Sequence, residues 1–450
     1  MDLRAIRLHL TLVLVALYLL LEAAFMLIRL PPGTVSAVPT GELLILFFFL
    51  TLAADLHLIR PFLLVIPAAP FVIWWTIGGA QLAIAVPQYG FWALRDATSL
   101  IESLFLWIGF VVASVPGAMT TVITWFHRVL ILAVLVALTY PFREALAAIS
   151  PVVLSAQMRE FPLFFTYQLT PMTAMTGAVR ILVTERRYLG LRPEWIAGAL
   201  IVFVAAFWQA RTIYLQIGFL FLLFAVTRPG NVLRLLTPLV AAVVLFAAVI
   251  ALGVPFPGRL SGNVSLSFYL EHFLAIGGSG AHGSDDAAIQ SAAGGVGQRL
   301  QWWQAIWENV TASWSSTLFG VGYGVSLVGL ANDHTIDPAT REPHNSLISA
   351  MGRVGFVGLA AYVWMHAALT LTLIRTYLSY RAQGEKTIVQ FLYLAGVLFG
   401  MFWISAMGED SFEKPFVSIP YYFCYGVILN LWYRDAFARK QAVTVALKAP

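Results

Sequence analysis

Residues 8–30 read LHLTLVLVALYLLLEAAFMLIRL, and Arg4 and Arg7 stand just before them. As a helix, an apolar run of this length crosses the roughly 30 Å hydrocarbon core of a bilayer. It is longer than the core of a secretion signal and has no convincing small-residue cleavage site. It therefore reads as an uncleaved first span with its N-terminus in the cytoplasm. Comparable runs recur at 43–59, 62–79, 98–115, 122–140, 161–184, 195–210, 212–227, 235–253, 346–374, 388–407 and 416–433. The pair flanking Arg211 has almost no linker and can equally be one long kinked segment. The expectation is an all-α integral membrane protein of about twelve transmembrane helices, a single polytopic domain over 1–450.

Composition agrees. Of 450 residues 60% are apolar, 14% aromatic and only 11% charged. A soluble domain carries about 25% charged residues, so a soluble enzyme is excluded, as is a disordered chain. The single cysteine, Cys424, lies in an apolar run, rules out an intrachain disulfide and reads as a small core residue.

The net charge of +5 does not point to nucleic acid. With the N-terminus inside, the inner loops hold Arg60, Arg128, Arg186, Arg187, Arg192, Arg228, Arg234, Arg375, Arg381 and Lys386, and the C-terminal tail adds more. Most acids, including Glu144, Glu160, Glu271, Glu308, Glu342, Glu409 and Asp410, fall outside. This bias predicts an even number of spans with both termini cytoplasmic.

One long polar segment, 254–345, lies on the outer side and forms part of the active site in this reading. Pro255, Pro257 and Gly258 end the preceding helix. Residues 298–310 read as a short surface helix with Leu300, Trp303, Trp307 and Val310 on one face and tryptophans at headgroup level. Three outer positions stand out. Arg211 sits between two apolar runs, where an arginine either snorkels or acts on a substrate. Arg299 opens the surface helix ahead of Trp302 and Trp303. His344 precedes Asn345 at the start of the tenth span.

Their order carries a resemblance. An arginine at the outer start of a span is followed by a long outer loop with an Arg-x-x-Trp helix. Then come Leu318-Phe319-Gly320-Val321-Gly322-Tyr323-Gly324 and His344-Asn345, with Gly352, Gly355 and Gly358 entering the next span. This resembles the O-antigen ligase and polymerase superfamily, firmest over residues 211–358. The family often has a small hydroxyl residue where this chain has Ala210.

The resemblance implies a GT-C-like glycosyltransferase of the bacterial inner membrane with a periplasmic loop. Its donor would be a glycan on undecaprenyl pyrophosphate and its acceptor a lipid or glycan, such as lipid A-core. It further implies His344, Arg211 and Arg299 as catalytic residues, and Arg211, Arg299, Asn345, Trp302 and Trp303 as substrate contacts, with no metal and no cofactor. Arginine's planar fork suits phosphate oxygens, and a neutral imidazole can take the proton of an attacking hydroxyl.

A polysaccharide polymerase is the alternative within the family. A transporter or flippase is the alternative outside it, with Glu22, Asp55, Arg128 and Arg180 as its ionisable residues. Asp333, His334 and Asp337 are a weak metal set against a solvated acidic stretch. Glu409 and Asp410 are sugar contacts or, on a plainer reading, a hydrated loop. His272 and His282 receive no role.

Overall fold

The computed structural model describes residues 3–30, 38–65, 68–154, 160–164, 166–185, 187, 190–252, 287–331 and 340–446. The loop residues 253–286, with His272 and His282, and the candidate metal set of Asp333, His334 and Asp337 lie outside the described residues.

The chain is a helical, multi-pass membrane protein. Among the described residues, six helices are long and apolar enough to cross a membrane. They are Leu3–Met26 (α1), Ala68–Tyr89, Ala118–Leu138, Pro229–Ala251, Ser346–Ala382 and Lys386–Ala406. A pair bent by 70°, whose first half is Thr40–Leu50 (α2), forms either a broken span or a re-entrant loop. Shorter apolar helices cover Thr98–Ala113, Pro193–Trp208 and Arg211–Thr227.

Several expected spans fall differently, for local reasons. The run at 43–59 breaks after α2 at Thr51. Arg7 of α1 explains the break: buried there, it pairs with Asp55, donates to Thr51 Oγ1 at 2.6 Å and lies over the Phe48 ring at 4.5 Å. The chain resumes as Leu56–Leu63 (α3), and the next helix, Ala68–Tyr89 (α4), runs ten residues past the expected end at 79. Phe91–Asp96 (α5) precedes the run at 98–115, which divides into Thr98–Glu102 (α6) and Phe105–Ala113 (α7) before Ala118–Leu138 (α8) and Arg143–Ile149 (α9).

The run at 161–184 is only half helical. Glu160–Pro162 pairs antiparallel with Val152–Leu154, and the helix starts at Thr170 (Thr170–Thr184, α10) with Pro171 in its first turn. Glu22 of α1 accepts from Gln168 N and Thr170 Oγ1 and so caps α10 from a neighbouring helix. Glu22 and Asp55, two residues that a transporter reading would need, are thus tied into the frame. Arg180 of α10 donates from Nε to His127 Nδ1 of α8 at 3.1 Å.

Around Arg211 there are two helices, Pro193–Trp208 (α11) and Arg211–Thr227 (α12), joined at Gln209 with φ 47°. Pro229–Ala251 (α13) follows. After residues 253–286 come Ala287–Thr311 (α14) and Trp314–Phe319 (α15), within the polar segment, and then Ser346–Ala382 (α16), Lys386–Ala406 (α17) and Pro415–Ala446 (α18).

At the centre of the core, α18 packs on α7. A Cβ on Gly109 would fall 3.1 Å from Gly426 Cα, so only two glycines let these backbones approach this closely. Cys424 is buried there, as expected of a core residue. Along α18, Pro415 and Arg434 are about 30 Å apart at 1.5 Å per residue. Arg434 donates to Ala113 O at 2.6 Å, beside a cavity lined by Arg7, Asp55, His57 and Ser114. That cluster and the loop before Pro415 therefore sit at opposite ends of the bundle.

Candidate functional site

The site forms where α12, α14, α16 and the loop between α17 and α18 meet. His344 has φ 53°, in the left-handed region that favours glycine and asparagine. Asn345 follows in extended conformation and caps α16, accepting from Leu347 N at 3.0 Å and Ile348 N at 3.2 Å. Its Nδ2 donates to Met407 O at 3.0 Å, so the amide is engaged at both ends. Trp303 Nε1 donates to Pro343 O at 2.8 Å. These two residues, expected to touch substrate, hold the backbone on either side of His344.

Trp302 is 5% exposed, its ring centred 5.9 Å from that of His344. Its Nε1 has no partner among the described residues. The buried face of α14 runs through Trp302, Ile306 and Val310, whereas Leu300 and Trp307 are exposed. The expected stripe of Leu300, Trp303, Trp307 and Val310 is therefore rotated. Trp302 turns inward to the site, and Trp307 instead meets Phe356 of α16 edge-on at 5.7 Å.

The two arginines differ. Arg299 donates to Gly408 O at 2.7 Å and to Glu409 Oε1 at 3.3 Å. Arg211 opens α12 and lies near enough to Arg299 for their like charges to oppose. Its Nη2 is buried, and among the described residues it has no hydrogen-bond partner. A buried guanidinium nitrogen left unsatisfied in this way is suited to an anionic ligand.

Glu409 and Asp410, read from sequence as more plausibly a hydrated loop, reach His344. Its Nδ1 lies 3.1 Å from Asp410 Oδ1 and 3.5 Å from Glu409 Oε2. Lys414, not singled out in the sequence, is 2.8 Å from Asp410 and 3.8 Å from Glu409. Burial pushes the Asp410 carboxyl up, but Lys414 and the His344 hydrogen bond outweigh it and hold it well below the usual carboxylate range. Burial lowers Lys414, and Asp410 and Glu409 more than reverse this. Glu413, which accepts from Ser346 Oγ at 2.6 Å, is pushed up to about 8 by burial and by the nearby Glu342. The available signal was density: Glu409, Asp410, Glu413 and Lys414 fall within six residues of a chain otherwise poor in charge.

His344, Glu409 and Asp410 offer ligand atoms within 4.8 Å of one another, close enough for one metal ion. Lys414 and Arg299 already neutralise these two carboxylates, however, which makes the set a poor fit for a dication.

The glycine-rich stretch is scaffold. Gly320, Gly322 and Gly324 all have positive φ. Val321 N donates to Gly352 O at 2.8 Å and Gly322 N to Arg353 O at 3.2 Å. Asp96 accepts from Gly324 N at 3.0 Å and pairs with Arg341 at 2.8 Å and Arg353 at 3.1 Å. Arg353 also pairs with Glu342 at 2.5 Å. This buried network fixes the strand of chain that leads to His344.

Residues 196–363 match the family model described as O-antigen ligase. Over that segment the chain is similar to the O-antigen ligase family. The match takes in Arg211, Arg299, Trp302, Trp303, His344 and Asn345 and ends before Glu409, Asp410 and Lys414. It covers less than half of the chain. No curated protein matches the sequence. The family indicates ligase- or polymerase-type glycosyl transfer on lipid-linked glycans in a membrane.

Proposed function

We propose that the chain transfers a glycan from undecaprenyl pyrophosphate to a membrane acceptor such as lipid A-core, on the outer face of the bacterial inner membrane. The observation that carries this reading is the pairing of Arg211, unpartnered at a buried Nη2, with Arg299 beside His344. Two arginines bind the pyrophosphate and stabilise the charge that grows on its leaving oxygen. His344 acts as general base. With Nδ1–H donated to Asp410, its Nε2 lone pair takes the proton of the acceptor hydroxyl. The acceptor oxygen bonds to the anomeric carbon as the bond from that carbon to the phosphate oxygen breaks. The electron pair leaves with the pyrophosphate. One displacement inverts the anomeric centre, and the arginines do the neutralising without a metal ion.

The test measures transfer and donor binding separately in nanodiscs. Arg211→Ala and Arg299→Ala are expected to weaken donor binding together with rate, with lysine rescuing only in part. Unchanged donor binding in both would remove the pyrophosphate site. In a deletion strain, accumulated long lipid-linked chains mark a ligase. Accumulated single repeat units mark a polymerase.

A further inference from the structure

We infer that Glu409 is a built-in competitor for the donor's pyrophosphate, a carboxylate that occupies Arg299 and is displaced when donor binds. The inference rests on the proposed pyrophosphate site and adds a residue that controls its occupancy. Adjacent carboxylates divide two duties here. Asp410 is buried and makes the closer contacts, 2.8 Å to Lys414 and 3.1 Å to His344. Glu409 is 39% exposed and stands farther from the same partners, 3.8 Å and 3.5 Å, while lying 3.3 Å from Arg299 Nη2. Charge-assisted hydrogen bonds are typically about 2.7–2.9 Å long, so Asp410 is fixed and Glu409 is loosely held.

Arg299 keeps a second anchor, Gly408 O at 2.7 Å, and would remain in place when Glu409 swings away. Arg211, by contrast, has no such anion among the described residues and meets the pyrophosphate unopposed. An exposed ion pair of this kind is weak, so its displacement costs little. A pyrophosphate offers more charge and a better match to the guanidinium fork.

The consequence concerns release. The lipid product keeps its pyrophosphate after transfer, and both arginines would go on holding it. A carboxylate that returns to Arg299 loosens donor and product alike. Such uniform weakening raises KM without lowering the chemical rate.

The experiment uses the full chain in nanodiscs with undecaprenyl pyrophosphate as the probe. Glu409→Gln is expected to tighten binding roughly two- to five-fold and to slow dissociation by a similar factor. Donor KM falls, and kcat does not rise. Glu409→Asp keeps the charge and stays within about two-fold of wild type. Glu409 is partly exposed, so neither change should disturb folding, and thermal unfolding checks this. Binding by Glu409→Gln that is unchanged or weaker overturns the inference. Arg211→Ala and Arg299→Ala separate the two levels in the same assay. If they weaken binding and Glu409→Gln does not tighten it, only Glu409's role falls. If neither arginine matters, the pyrophosphate site and this inference fall together.

Discussion

His344 combines two demands that few side chains meet. Its backbone is left-handed at φ 53°, a conformation that costs most residues about 1–3 kcal/mol, and its ring must still point at Asp410 and Trp302. Alanine at this position would mix a backbone penalty with the loss of the imidazole. Asparagine tolerates the left-handed region and has no basic nitrogen, so His344→Asn isolates the chemistry. Its expected outcome is a thermal midpoint near wild type, near-normal donor binding and transfer lower by about 10²–10⁴-fold. Loss of transfer fully accounted for by loss of donor binding would make His344 a binding residue. Asp410→Asn is expected to lower the transfer rate with donor binding retained, because the ring loses its orienting acceptor. Order along the chain singled out His344, Arg211 and Arg299 as candidates before any geometry. Their partners were not legible: Glu409, Asp410 and Lys414 are separated from His344 by two helices, and nothing local in 409–414 says what they face.

The elements show where apolar patterning stops being informative. Length and hydropathy located most helices, but the breaks depend on partners distant in sequence. Arg7 breaks the second span at Thr51, and Glu22 decides where α10 begins. In α16 the break is at Gly355, φ 65°, where the backbone of Leu318–Gly320 passes against the helix. A Cβ on Gly320 would fall 2.6 Å from Gly355 N. These glycines are visible in the sequence as a motif but not as a docking point. Gly320→Ala is therefore expected to cost roughly 1–3 kcal/mol from its positive φ alone, and more from the clash, with transfer lost in parallel. Differential scanning fluorimetry with a transfer assay checks it. The short turn at Glu413 makes a second element-scale prediction. Its folded pKa of about 8 exceeds an unfolded value of about 4.3, so between these values the folded state binds the extra proton. Its contribution is complete below the unfolded pKa and is lost as pH rises through about 8. Glu413→Gln should flatten the fall in thermal midpoint across that window, and an unchanged slope would place the titration elsewhere.

For the whole molecule, charge and chain direction give the same arrangement. The Arg7 cluster and the Pro415 loop lie at opposite ends of α18, and the site residues share the Pro415 end. In the proposed topology, with the arginine-rich loops inside, the site end would face outward, toward a lipid-linked glycan. Cysteines placed at Ser315 and Gln383, both exposed, should label from opposite sides, because Cys424 is buried and silent. Labelling from the same side would put the site on the cytoplasmic face and remove the periplasmic donor. The same global charge balance bears on metals. A site built for a dication leaves its carboxylates unneutralised, whereas here Lys414 lies 2.8 Å from Asp410 and Arg299 lies 3.3 Å from Glu409. In the proposed mechanism the anion-binding charge is carried by the two arginines, so removing divalent ions would withdraw nothing from the leaving pyrophosphate. Transfer by purified protein is accordingly expected to persist at full rate in EDTA. If chelator abolishes transfer and magnesium or manganese restores it, then His344, Glu409 and Asp410 become ligands, since they alone among the described residues bring three donor groups within 4.8 Å. In that case Glu409→Gln would weaken metal binding and raise the metal concentration that transfer needs, rather than tighten the hold on donor, and the two measurements made on one variant tell the arrangements apart.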